Sequence, residues 1–229
     1  VVKKLENVAA AWEYAVSGMR GDKKKVIVEE FIPFESEITL LTVKQKTGPT
    51  LFVKPIGHRQ ERGDYQESWL PARLTPAQLK KAQKMAKKVT DYLGGAGLFG
   101  VEFFVTKKDI YFSELSPRPH DTGMVTLVSQ DLTEFDLHLR AVLGLPIPEI
   151  AYFGPSASAV LLAQSESDDY EFDGLDRALK TKGVDVRLFG KPSTRPYRRM
   201  GVVLAKAKSV DEARRKAKRA AAQIKVVES

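Results

Sequence analysis

Two acidic residues lie in otherwise apolar segments, Glu102 within residues 100–105 and Glu114 within residues 110–114. If these segments are strands that pair about the polar turn at 106–109, both carboxylates can face the same side. Two carboxylates side by side repel each other unless a cation lies between them, and hard oxygen ligands suit Mg²⁺ on the phosphates of a nucleotide. The alternative is that each acid marks the solvent face of an edge hairpin.

A second candidate is Arg118, which lies between two prolines in the segment 116–120. Proline restricts the backbone on both sides of the arginine. A guanidinium held in this way suits a phosphate or acyl-phosphate oxygen that must be bound in fixed geometry. A stiffened connection with an exposed arginine explains the same pattern equally well.

Other residue types, taken alone, are weaker evidence for a functional site. Arg198 and Arg199 are adjacent, which on its own indicates a solvated turn. The three histidines, His58, His120 and His138, are too scattered for an imidazole metal site and are interpreted as structural or solvent-facing. The chain has no cysteine, which excludes disulfides and thiolate zinc sites.

The elements that would position these residues are a mixture of helices and strands. Apolar spacing predicts helices over 5–16, from Thr75 to Gly94, before Gly144 and after Ser209. The last of these carries a predicted capping box of Ser209 and Glu212. Segments rich in β-branched and aromatic residues predict strands over 26–31, 37–43, 50–55, 98–105, 109–114, 159–164, 184–189 and 201–207.

This order of elements lacks the regular βαβ alternation of a parallel sheet, so we expect an α+β fold with an antiparallel sheet and flanking helices. Two prolines in the segment 145–148 cannot continue a helix. They divide the chain into a first domain over 1–148 and a small C-terminal α/β domain over 149–229.

Composition narrows the function classes. The 229 residues are 43% hydrophobic, and the formal charge is 37 − 29 = +8. Basic residues are spread along helices without an aromatic-rich patch, so we expect no nucleic-acid partner. A thermophilic composition and small phosphorylated substrates suit the charge equally well. No apolar run has membrane-spanning length and no signal pattern opens the chain, so we expect no membrane partner and a cytoplasmic location.

Several motifs together resemble one family. Residues 100–104 and 113–124 look like the metal-binding end of the ATP-grasp fold, and residues 26–32 and 37–42 resemble its adenine-binding hinge strand and the strand after it. Residues 57–69, 187–192 and 198–199 are similar to one branch of that fold, the formate-dependent phosphoribosylglycinamide formyltransferases. The resemblance extends over essentially the whole chain.

The resemblance implies a nucleotide and metal site. Glu29, Glu30, Phe31 and Ile32 would hold the adenine edge of ATP, and Glu37 the ribose hydroxyls. Glu102 and Glu114 would bind Mg²⁺.

The resemblance also implies a substrate site. Asp121 would meet the amine of glycinamide ribonucleotide and orient it. The phosphate of that ribonucleotide would be held by Lys191, Arg198 and Arg199, as the physical chemistry of a lysine with paired arginines suggests. Arg118 would be one of the cations that stabilise the migrating phosphoryl charge.

The implied reaction passes the γ-phosphoryl of ATP to formate, and the amine then attacks the formyl phosphate. The family carries an N-terminal domain and a Gly-rich phosphate loop that have no counterpart before Leu5, so we expect a fragment of a longer enzyme that is a homodimer at full length. The fragment alone is expected to be inactive. Two alternatives stay open, namely the sister carboxylation of aminoimidazole ribonucleotide through carboxyphosphate, and a non-catalytic nucleotide-binding or dimerisation module.

Overall fold

A computed structural model describes residues 2–17, 25–61 and 64–228, which belong to two compact units, Val1–Pro33 and Phe34–Ser229. The first unit has a 3₁₀ segment, Leu5–Asn7, followed by helix α1, Val8–Ser17, in agreement with the predicted helix. The strand predicted over 26–31 is wrong. Residues 25–33 have no regular structure, and the side chain of Val28 is 90% exposed. A strand exists through hydrogen bonds to a neighbouring strand, and the described part of this unit contains none.

The second unit is built on one antiparallel sheet in the order β6-β5-β1-β3-β4-β7-β10-β9, with β2 paired to β1, and on a separate β8–β11 ribbon. Its elements are β1 (Ser36–Lys44), β2 (Leu51–Phe52), β3 (Ile56–Glu61), β4 (Asp64–Leu70), α2 (Pro76–Leu93), β5 (Gly97–Val105), β6 (Ile110–Ser116), a 3₁₀ segment (Asp121–Val125), α3 (Thr126–Ser129), α4 (Glu134–Leu143), β7 (Ser156–Leu162), β8 (Tyr170–Asp173), α5 (Leu175–Leu179), β9 (Val184–Leu188), β10 (Arg199–Lys206), α6 (Val210–Ala221) and β11 (Lys225–Glu228).

The helix boundaries follow from capping residues. Thr75 and Gln78 form a closed capping box at the start of α2, where the predicted helix begins. Ser209 caps α6 by accepting from the Glu212 N–H. The predicted box is not closed there, because the Glu212 carboxylate accepts from the Lys208 N–H instead, at 3.3 Å.

Helices cover both faces of the sheet. On one face, Ala82 and Ala86 of α2 pack against the apolar side of β1 and β5, including Phe103. On the other face, Leu137 of α4 packs against Leu41 and Ile56. Burial on both faces fixes the strands in register, so side chains that project beyond these cores are held on a rigid scaffold.

Residues 58–61 and 64–69, for which no strands were predicted, lie in the antiparallel pair of β3 and β4. Strand β4 pairs with β7 through Glu67–Leu70 and Ser156–Ala159, so the sheet runs on past residue 148. The domain boundary at 148 stays a prediction.

Candidate functional site

Glu102 is the buried centre of a polar cluster on the α4 face of the sheet. Its side chain is 6% exposed, and its two carboxylate oxygens lie 3.0 Å from His120 Nε2 and 3.4 Å from His58 Nε2. The Gln60 amide donates to the same carboxylate at 3.3 Å. Burial alone would raise the pKa of Glu102, but hydrogen bonds from His120 and His58 lower it below its ordinary value. The carboxylate is therefore held ionised away from water.

Glu114 and Glu37 bring two more carboxyl groups to Glu102. The register between β5 and β6 is irregular after Val101. Burial, and after it the interaction with Glu102, raises the pKa of Glu114. Burial first, opposed by the charge of His58 and reinforced by that of Glu102, also raises the pKa of Glu37. Regular alternation would set Glu114 opposite Val101, on the other face of the sheet, so the irregular register is what brings it to Glu102. Metal binding by the two residues stays a prediction. We call Glu37, Glu102 and Glu114 the acidic centre.

His120 connects the acidic centre to the following 3₁₀ segment. Its Nε2 contacts Glu102, while its Nδ1 lies 2.9 Å from the Thr122 hydroxyl and 3.3 Å from Asp121 Oδ1. Burial would lower the pKa of His120, but the Glu102 hydrogen bond and the Asp121 charge raise it. The ring approaches the sheet at Gly100, where an added Cβ would lie 2.8 Å from that of His120. Only glycine leaves room for the imidazole at this place.

A buried carboxyl lies beneath the same segment. Glu134, the first residue of α4, is 1% exposed and accepts from the His120 N–H at 2.8 Å. A Cβ on Gly123 would come within 2.1 Å of its Oε2 atom. Burial raises the pKa of Glu134 to about 8. The segment that carries Asp121 is thus seated closely on Glu134.

Asp121 and Arg199 form an ion pair between the Asp121 Oδ2 and Arg199 Nη1 atoms. Arg199 begins β10, and its guanidinium carbon lies 5.8 Å from the centre of the Tyr65 ring. The resemblance assigned these residues to the amine and to the phosphate of one substrate. The structure places the two side chains in direct contact.

Further cations surround Arg199. Burial, followed by the charges of Arg198, Arg199 and Arg195, lowers the pKa of Lys191. The Arg198 guanidinium donates to the carbonyl and hydroxyl of Ser193 at 2.9 Å each. Like charges so close together favour an anion between them. We call Lys191, Arg195, Arg198 and Arg199 the cationic cluster.

The remaining predicted site residues are Arg118 and the segment from Glu29 to Ile32. The exposed Arg118 donates to the adjacent Pro119 carbonyl at 2.9 Å, and its charge is a minor influence that lowers the pKa values of Glu114 and Glu134. The predicted adenine contacts, Glu29 to Ile32, belong to the first unit, where Glu29, Glu30 and Phe31 are exposed. Their roles stay predictions.

The acidic centre fits a divalent cation in its donor chemistry. Glu102 and Glu114 are carboxylates in direct repulsion, which a cation between them would relieve. Among the residues that the structure describes, no group of three or more His, Cys, Asp or Glu forms a ready-made metal cage. Mg²⁺ usually keeps water and takes phosphate oxygens, so two carboxylates suffice. The bonds from His58, His120 and Gln60 would orient Glu102 as a ligand.

Sequence reasoning missed several members of the site. It interpreted His58 and His120 as structural or solvent-facing, whereas both contact Glu102. It also passed over Tyr65, Glu134 and Arg195. The proximity of His120 to Asp121 in the chain was a usable signal, but nothing in the sequence placed His58 or Tyr65 beside residues so distant along it.

The fold agrees with the comparisons to known proteins. The ATP-grasp domain model matches residues 1–135, and a model described as PurT, C-terminal, matches residues 156–224. The first match covers more than half of the chain, so the chain belongs to the ATP-grasp family. No helix in the described ranges combines the length and apolarity that a membrane crossing requires.

Within that family, the chain is similar to curated formate-dependent phosphoribosylglycinamide formyltransferases. It is 64% identical over 226 residues to the one from Trichormus variabilis, a match that covers 99% of this chain and 58% of the relative. It is 60% identical over 220 residues to the one from Chlorobaculum tepidum, covering 94% of this chain and 56% of the relative. The chain thus spans a little under three fifths of these relatives.

Solved structures give the same family. N5-carboxyaminoimidazole ribonucleotide synthetase from Thermus thermophilus aligns with a TM-score of 0.82 at 28% identity, covering 97% of this chain and 58% of that one. Glycinamide-RNase-transformylase T from Mycobacterium tuberculosis aligns with a TM-score of 0.73 at 32% identity, covering 86% of this chain and 58% of that one. Backbone similarity therefore includes both the formylating and the carboxylating branch.

Proposed function

We propose that this chain is part of an enzyme that formylates glycinamide ribonucleotide in purine biosynthesis, using formate, ATP and Mg²⁺ and passing through formyl phosphate. The observation that carries the proposal is the Asp121–Arg199 pair, which joins an acidic centre to a cationic cluster. Identities of 57–64% to curated formyltransferases support the same reaction.

The nucleotide half of the proposal uses the acidic centre. Glu102 and Glu114 would hold Mg²⁺, which supplies neutralisation of phosphate charge when bound. Glu37 would contact the ribose hydroxyls, and Glu29 to Ile32 the adenine. Arg118 would add a positive charge near the migrating phosphoryl.

The substrate half uses the cationic cluster and Asp121. Lys191, Arg198 and Arg199 would bind the ribonucleotide phosphate through charge-assisted hydrogen bonds. Asp121 would hold the glycinamide amine and accept its proton as the amine attacks the formyl carbon of formyl phosphate, and the bond from that carbon to the phosphate oxygen breaks to release phosphate. Binding the remote phosphate fixes the amine in position, which replaces an encounter in solution by an oriented one.

Two features belong to the proposal for the whole protein, namely a homodimer and a cytoplasmic location. No nucleic-acid or membrane partner is part of it. The domain division at residue 148 separates the portion that holds nucleotide and metal from the portion that presents the cationic cluster.

Carboxylation of aminoimidazole ribonucleotide is the competing function, favoured by the high TM-scores to its synthetases. In the enzymes that catalyse this carboxylation, the corresponding segment usually has asparagine at the position of Asp121. A carboxylate is the better partner for an aliphatic amine that carries a proton, which favours formylation.

The deciding measurement is phosphate release from ATP by the full-length protein with glycinamide ribonucleotide and formate, compared with aminoimidazole ribonucleotide and bicarbonate. We expect turnover only with formate. Turnover with bicarbonate would establish the sister reaction, and nucleotide binding without turnover under either condition would establish a non-catalytic module.

A further inference from the structure

Tyr65 lies next to Arg199 and is linked to the Asp121 segment through other side chains. It belongs to β4, is 5% exposed, and presents its ring to the Arg199 guanidinium at 5.8 Å. A cation over an aromatic face is attracted by the ring quadrupole, and the attraction strengthens when the pair is removed from water. The ring therefore supports the cation that pairs with Asp121.

The hydroxyl of Tyr65 reaches the other member of the pair through a buried chain of hydroxyls. It bonds to the Ser158 hydroxyl, which lies 2.8 Å from the Ser68 hydroxyl. Ser68 in turn donates to the main-chain carbonyl of Thr122 at 2.8 Å. Thr122 directly follows Asp121, so the chain anchors the peptide that carries the carboxylate.

The environment keeps this network intact. Ser68 and Ser158 are fully buried, and burial raises the pKa of Tyr65 to about 12, so its phenol stays protonated. The hydroxyls of Tyr65, Ser68 and Ser158, which come from the neighbouring strands β4 and β7, thus form one chain that ends at the Thr122 carbonyl. Buried polar networks that are fully satisfied are rigid.

We propose that Tyr65 is a positioning residue that sets the spacing between Asp121 and Arg199, and thereby selects a ligand that carries an amine and a phosphate at matching separation. This inference rests on the proposed function for the identity of that ligand. The ring controls Arg199 and the hydroxyl controls Asp121, so two substitutions separate the two contributions.

In the full-length protein, Tyr65→Phe keeps the ring and removes the hydroxyl. We expect kcat with glycinamide ribonucleotide to fall about tenfold while KM stays within about twofold, because displacement of a reacting group by a fraction of an ångström lowers the rate without loss of phosphate binding. Tyr65→Leu also removes the platform under Arg199. We expect Tyr65→Leu to raise KM about tenfold relative to Tyr65→Phe, because the cation–π and packing contact is lost.

Tyr152→Phe is the matched control. Its hydroxyl likewise has a hydrogen-bond partner, the main-chain carbonyl of Leu70 at 3.2 Å, but that carbonyl lies outside the site. We expect it to change the melting temperature without splitting kcat from KM. If Tyr65→Phe changes kinetics no more than Tyr152→Phe does, the positioning role is overturned.

Binding of ribose 5-phosphate, measured by calorimetry, distinguishes this failure from failure of the proposed function. Wild type and Tyr65→Phe should bind this probe alike, and Tyr65→Leu about tenfold more weakly. If wild type binds the probe but does not turn over formate, the proposed function fails, while the same order of affinities among the variants would still support the role of Tyr65. No binding by wild type, or equal binding by all three proteins, would overturn it.

Discussion

The Arg199 guanidinium and the Asp121 carboxylate are 78 positions apart in sequence and form a direct ion pair. The pair satisfies both charges before any substrate is present. A ligand that carries only a phosphate would take Arg199 and leave Asp121 with the His120 imidazole but without the guanidinium, which costs free energy in a partly buried place. A ligand with both an amine and a phosphate replaces both partners.

The first prediction concerns Arg199. In the full-length protein, Arg199→Ala should remove charge-assisted contacts worth about 1.5–3 kcal/mol, which is about a 10- to 150-fold rise in KM for the ribonucleotide. KM for ATP should barely move, because the phosphate of the ribonucleotide is remote from the nucleotide site. Initial rates with each substrate varied in turn give both constants.

A raised KM for ATP with an unchanged KM for the ribonucleotide would assign the cationic cluster to the nucleotide instead. Lys225→Ala, an exposed cation outside the cluster, serves as the control.

The second prediction concerns the acidic centre, where two isosteric changes should act in opposite directions on stability. Glu102→Gln leaves two buried imidazoles without their carboxylate and should cost about 1–3 kcal/mol. Glu114→Gln removes a repulsion and should leave the protein at least as stable as wild type. Thermal unfolding with and without Mg²⁺ tests metal binding, since the ion should raise the melting temperature of wild type and of neither variant. Equal stabilisation of Glu114→Gln and wild type would exclude Glu114 as a ligand.

The third prediction concerns pH. Burial raises the pKa of Glu134 to about 8 in the folded protein from an ordinary value of 4.5. The folded state therefore holds this proton more tightly, so the stabilisation is fully present below about pH 4.5 and is lost as pH rises toward about 8. Glu134→Gln stays neutral and can still accept from the His120 N–H, so the free energy of unfolding of wild type should fall relative to that of the variant across this window.

Urea titrations at several pH values measure this difference. Glu149→Gln, at an exposed position, should run parallel to wild type. A constant offset between wild type and Glu134→Gln over the whole window would mean that Glu134 is ionised in the folded protein.

The fourth prediction concerns Gly123. An alanine here would place its Cβ 2.1 Å from Glu134 Oε2 and 2.5 Å from its Cδ, in a place where neither can move freely. We expect a loss of about 1–3 kcal/mol from overpacking, together with a fall in kcat because the Asp121 segment is displaced. Combining Gly123→Ala with Glu134→Asp, which shortens the side chain by one methylene, should recover part of the stability. An unchanged melting temperature in the single variant would show that the segment is not tightly seated.

Local chemistry explains what the sequence predicted well. Capping residues such as Thr75 act on their own turn. The strand expected over 26–31 failed for the opposite reason, since strand structure depends on a partner that the residues themselves do not supply.

The sequence by itself determined the main helices, most strands of the sheet, the α+β class and, through motif resemblance, the acids and cations proposed for the site. Only the tertiary structure decided which of them touch. His58 reaches Glu102 because β3 lies beside β1 and β1 beside β5, and Arg199 reaches Asp121 because β10 and the 3₁₀ segment meet over β7 and β4. Such contacts depend on strand order and register, which are set by long-range packing of both sheet faces, and no local pattern encodes them.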